Sequence, residues 1–183
     1  MAKRICDVTL DEFRRVLTFR ALRVMQIVHG ALAVSVVSFP AIVILTGSTR
    51  APTRTPLSDA NFLSAANAGA FLINSALSYF VYKLMLNKKS VTKQQANAPD
   101  AALNLIRAAL ILRIGLREGA AMFGLVACLI ISNYTSDRTY WLNAIPAIVF
   151  LIDVIITFPT RQRVENIFLT KIHTASNTGG AAK

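Results

Sequence analysis

Four long apolar blocks separated by polar segments dominate the chain, at roughly 21–45, 62–86, 110–132 and 140–158. Each is close to the ~20 residues a helix needs to cross the hydrocarbon core of a bilayer. The pattern predicts an all-α membrane protein, a four-transmembrane-helix bundle made of two antiparallel hairpins. The third block belongs to a longer helix that starts near Asp100 and runs to Ser132, and its first third reads as a partly exposed extension. Pro40 falls late in the first block, and Pro159 stops the fourth because proline cannot continue a helix. Asp59 and Asp100 are expected to cap the helices that follow them.

Ahead of the first span, residues 1–20 form a basic segment holding a short amphipathic helix. Thr9 with Glu12 three residues on is a capping-box signature, and Leu10, Phe13, Val16 and Leu17 share one helical face. Such a helix suits a membrane surface, with Arg14 and Arg15 toward headgroups and Phe13 inward, or the face of a neighbouring protein. The segments thus divide as 1–20, a transmembrane domain over 21–160, and a basic tail over 161–183, with a disordered end from Ser176.

Composition sharpens this picture. Over 183 residues, 54% are hydrophobic and only 16% charged, and the mean hydropathy is +0.50. A soluble domain carries about 25% charged residues, so a soluble enzyme is excluded. The net charge of +11 would suggest nucleic acid in a soluble protein. Here the cations flank apolar blocks, and no nucleic-acid role is expected. They cluster before span 1 (Lys3, Arg4, Arg14, Arg15, Arg20, Arg23), around the middle loop (Lys83, Lys88, Lys89, Lys93) and in the tail. The first and third connections hold only Arg50, Arg54 and Arg138, so both termini and the middle loop are expected on the cytoplasmic side. Lys88 and Lys89 join Arg14 and Arg15 as candidate contacts to anionic lipid or a partner. All tyrosines and Trp141 fall near expected interfaces.

Candidate chemistry is confined to ionisable residues inside the spans. With the third connection as a hairpin tip near residue 136, Glu118 and Asp153 fall at similar depth, and Arg117 is adjacent. His29 lies about 9 Å inward of Arg23, and Tyr79 approaches the same level. His29, Tyr79, Arg113, Arg117, Glu118 and Asp153 are therefore expected to form one polar layer. An unpaired charge there is costly, so Arg117 should pair with Asp153 and Glu118 with His29, while Arg113 snorkels to the interface. The layer is either a salt-bridge network fixing helix register or a proton or ion path. Small-residue spacings at Ala65–Gly69 and Gly115–Gly119 are expected to support close helix packing, the latter within the chain or in a dimer. Cys6 and Cys128 offer no disulfide, and with only His29 and His173 no haem, zinc site or other cofactor is expected. No catalytic motif appears, and no enzyme activity is expected.

The stretch IRAALILRIGLREGAAMFGLVACLI, with FPTRQRVENIF after the fourth span, resembles a widespread group of small bacterial four-helix membrane proteins. The resemblance covers the C-terminal half, with only the four-span layout agreeing before it. It implies a bacterial inner-membrane location and no established activity. The same stretch is superficially similar to the rotor proteolipid of ATP synthases, where Glu118 would be the proton-binding carboxylate. This chain departs from that family: the glycine-ladder helices are missing, Arg117 abuts Glu118, and an arginine-bearing extension precedes the span. The expected role is a non-catalytic integral subunit or scaffold of a larger membrane complex, with other membrane subunits or further copies of itself as partners. The alternative is a small oligomeric proton or ion pathway through the polar layer.

Overall fold

Capping chemistry sets the first elements. The computed structural model describes residues 3–46, 57–92, 94–95, 97–132 and 138–173, with backbone alone at 42–46, 57–60, 88–89, 94–95 and 138. Helix α1 (Leu10–Val16) starts at Thr9, whose side chain accepts from Glu12 N while Glu12 accepts from Thr9 N at 2.8 Å. This is the expected capping box. Thr18 then starts helix α2 (Phe19–Thr46) by accepting from Ala21 N at 3.2 Å, and Pro40 lies inside α2.

Helix α3 (Leu57–Met85) begins two residues before the expected cap, so Asp59 lies in its first turn. A one-turn helix α4 (Lys88–Val91) precedes α5 (Ala98–Ser132), which begins just ahead of Asp100 and ends at Ser132 as expected. The Asn97 carbonyl accepts from Ala101 N at 3.1 Å, so Asn97 takes the place expected of Asp100. A 3-10 stretch (Arg138–Ala144) leads into α6 (Ile145–Thr157), whose first turn holds Pro146, where a missing N–H costs nothing. After Pro159, Thr160 caps α7 (Arg161–Ile167) by accepting from Arg163 N, and a π-helical turn (Phe168–His173) follows. Among the described residues a single strand pair sets β1 (Lys3–Arg4) antiparallel to β2 (Gln94–Gln95). The described chain is otherwise almost wholly helical.

Among the described residues, three stretches are long and apolar enough to cross a membrane: Phe19–Ala41, Ala98–Ser132 and Thr139–Thr157. The fourth expected span forms α3, but Asn67, Asn74 and its serines leave it less apolar than the others.

The chain divides into two compact units. Unit 1 gathers the N-terminal segment through His29, residues 79–113 and the C-terminal segment from Phe158. Its core includes Phe13, Met25, Ile106, Val164, Phe168 and Ile172, all fully buried. Unit 2 comprises Gly30–Ser78 and Ile114–Thr157, with Val36, Ile114, Ala121, Ala147, Phe150 and Val154 in its core.

Two expectations change here. Phe13 does not face lipid, because its ring stacks on Phe168 at 4.2 Å and 9°. The tail is not merely basic: α7 and the turn after it bury Val164, Phe168 and Ile172 against the N-terminal segment's side of the same core. A helix distant in the chain supplies the apolar cover that lipid or a neighbouring protein was expected to give. The tail beyond 173, the first connection and residues 133–137 lie outside the described residues, as do the side chains of Lys88 and Lys89.

Ion pairs fasten unit 1 at its surface. Lys3 Nζ sits 2.7 Å from Glu12, and Arg14 Nη2 sits 2.9 Å from Glu165, which Arg161 also contacts at 3.1 Å. Lys3, then the Thr9 amide, hold the Glu12 carboxyl down to about 2, against an ordinary value of 4.5. Arg14 likewise holds Glu165 below the carboxylate range. A carboxyl whose folded pKa is depressed contributes stability above its unfolded value and loses it as pH falls through the folded one. The hold of Glu12 on Lys3 and on the start of α1 is therefore expected to weaken as pH drops from about 4.5 toward 2, and the Arg14–Glu165 tie to the C-terminal segment to weaken as Glu165 protonates. Intrinsic-rate-corrected amide protection over residues 10–17 should fall across that window in the native chain, and much less in Glu12→Gln.

Candidate functional site

Unit 2 is poor in charge, and what it has is drawn together. Among its described side chains only Arg117, Glu118 and Asp153 are charged. Helix α5 presents Arg117 toward α6, where Asp153 Oδ1 lies 2.7 Å from Arg117 Nη1, with side-chain exposures of 25% and 13%. Arg117 Nε also donates to Ser78 Oγ of α3 at 3.2 Å, and the fully buried Ser78 donates to the Ser75 carbonyl at 2.9 Å. One guanidinium thus ties three helices with hydrogen bonds of fixed direction, which a point-charge ammonium would do less specifically. A small cavity of about 260 Å³ adjoins Arg117, bounded by Phe71, Ser75, Ala120, Pro146 and Phe150.

Glu118, one residue on, faces α2. Ser35 Oγ donates to Glu118 Oε1 in a short hydrogen bond, and also lies 2.7 Å from the Leu32 carbonyl. Ser35 takes the place expected of His29. His29 is buried in unit 1, its Nδ1 2.9 Å from the Met25 carbonyl, which puts the ring proton on that nitrogen. Its ring meets Phe158 edge-on at 6.4 Å.

The residues expected in the layer fall in both units. Arg117 pairs with Asp153 as expected, and both belong with Glu118 to unit 2. His29, Tyr79 and Arg113 belong to unit 1. Tyr79 is 65% exposed, and the Arg113 guanidinium lies over the Tyr82 ring at 5.3 Å, a cation–π contact. Of the surface arginines, Arg15 is exposed, while Arg14 is committed to Glu165.

A second polar cluster was not anticipated. Asn67 Nδ2 donates to both the backbone and the side-chain oxygen of Asn143 at 3.1 Å, and Asn143 Nδ2 donates to Ser64 Oγ at 3.1 Å. Both asparagines are buried, so each must be hydrogen-bonded or cost stability. Gly124 of α5 lets this cluster form: a Cβ there would stand 2.4 Å from the Asn143 carbonyl oxygen. By contrast, a Cβ on Gly69, Gly115 or Gly119 would meet nothing within 4 Å, so the expected intrachain use of these small-residue spacings is overturned. The signal available for the cluster was an asparagine within each of two apolar blocks. Gly124 was hidden because its partner is a loop carbonyl rather than a facing small residue.

No family model matches the chain, and no curated protein or solved structure matches it either.

Proposed function

We propose that the chain is a non-catalytic integral membrane subunit or scaffold with four spans, its two termini and middle segment cytoplasmic in a bacterial inner membrane. The helical runs within unit 2 are 30–46, 57–78, 114–132 and 139–157, each about 17 to 22 residues, or about 26–33 Å long, which matches a bilayer core. The N-terminal, middle and C-terminal segments, which charge counting assigns to one side, gather in one unit.

The observation that carries the reading is how unit 2 distributes polarity. Its charges lie in pairs or hydrogen bonds between helices, while Ile148, Ile152, Ile155 and Ile156 form an exposed row on α6, as do Leu72, Ile73 and Leu77 on α3. Water would not tolerate such rows, whereas lipid or an apolar partner helix would. The paired charges act to fix helix register.

A proton or ion pathway is the second reading, and Glu118 favours it: a serine hydroxyl, not a cation, holds this carboxyl. Extraction of native membranes in mild detergent and mass measurement of the intact complex separates the two. Co-purification with other chains at fixed stoichiometry is the expected result. A monomer or homo-oligomer alone would overturn it, and flux in reconstituted vesicles that disappears in Glu118→Gln would establish the pathway instead.

A further inference from the structure

Near the C-terminal end of α3, unit 1 contains a cleft of about 530 Å³ unrelated to the polar groups above. Tyr79, Phe80, Tyr82, Lys83 and Asn87 line it from one segment and Lys171 from the C-terminal turn. Lys83 and Lys171 are both exposed, and neither enters an ion pair or hydrogen bond among the described residues. Among the described residues no carboxylate lines the cleft. Each lysine lies in the last turn of its helix, where its full charge outweighs the partial negative charge of the helix end. The cleft is therefore positive and open. Beside the lysines the wall is apolar, with Phe80 61% and Tyr79 65% exposed.

We propose that this cleft binds an anionic phospholipid, its phosphodiester between Lys83 and Lys171 and an acyl chain along the exposed face of Phe80 and Tyr79. Charge complementarity selects an anion. The apolar wall selects a lipid over a soluble phosphate, which would leave that wall in water. Tyrosine rings with one polar end suit the depth where headgroup meets chain. The Asn87 amide, exposed at the rim, can donate to a phosphate oxygen.

This assignment rests on the reading of α3 as a span, so membrane insertion is measured first. Alkaline carbonate should leave the protein in the membrane pellet; release would sink the insertion reading before any lipid is examined. Native mass spectrometry of detergent-extracted protein titrated with phosphatidylglycerol then reads the site. Lys83→Gln/Lys171→Gln is expected to lower bound phosphatidylglycerol about tenfold. Lys83→Arg/Lys171→Arg should restore it, and phosphatidylcholine should bind weakly throughout. Both lysines are exposed, so the thermal transition should not move. Unchanged binding in the glutamine variant would overturn the site. So would an equal loss in Arg20→Gln/Arg23→Gln, which removes the same charge from two other exposed positions. Displacement of the lipid by millimolar inorganic phosphate would overturn the lipid assignment in favour of a free-phosphate site.

Discussion

Asp153→Asn is expected to destabilise the protein by about 3 kcal/mol, the lower end of the cost of leaving one member of a buried ion pair behind, because this pair is partly exposed. Arg117 would keep its bond to Ser78 but lose the carboxylate 2.7 Å from Nη1, and α6 offers no second anion. The double variant Arg117→Met/Asp153→Leu should recover most of that loss, because two apolar side chains of similar volume carry no desolvation penalty. Thermal unfolding in detergent, followed by helical circular dichroism, reads both effects. If the single and double variants unfold alike, the pair does not act as a lock between α5 and α6. If Asp153→Asn leaves stability untouched but abolishes flux, Asp153 belongs to a pathway.

This pair also marks how far the sequence carried. Arg117 and Asp153 could be matched because the only inputs were a 1.5 Å rise and a short connection, and depth along two antiparallel helices follows from counting. The limits of α5 and the capping box at Thr9 were legible for the same reason, since each depends on residues a few positions apart. Glu118 and His29 were mismatched because depth alone does not say which way a side chain points around its helix. Ser35 lay on the face that Glu118 actually meets, and a serine in an apolar block gives little sign of being a partner. The Asn67–Asn143 cluster failed for a related reason: its geometry depends on Gly124 approaching a carbonyl in the 3-10 stretch, which no periodicity encodes. What was least visible was unit 1. Its core joins segments from both ends and the middle of the chain, and the apolar positions of α7 are too few to announce a buried face.

Phe13→Ala tests that hidden core, and it is expected to cost about 3–5 kcal/mol, as large-to-small changes at buried aromatics do. Phe13 and Phe168 are each fully buried and stacked, so the alanine removes both apolar burial and an aromatic pair of about 0.5–1.5 kcal/mol. The diagnostic is where the loss is felt. If α1 lay on the membrane with Phe13 in lipid, the change would weaken surface attachment and leave the C-terminal segment as it was. With Phe13 against Phe168, amide protection should fall in both α1 and the segment 161–173, although about 150 residues separate them in sequence. Phe168→Ala should give the mirror result, loosening α1 from the other side. Phe13→Leu, close in volume but without the ring, should cost less than about 1.5 kcal/mol. Hydrogen exchange that changes in α1 alone would return Phe13 to the lipid. A coupled loss would establish that the two ends of the chain are held by one apolar contact, with the Arg14–Glu165 pair fastening its rim.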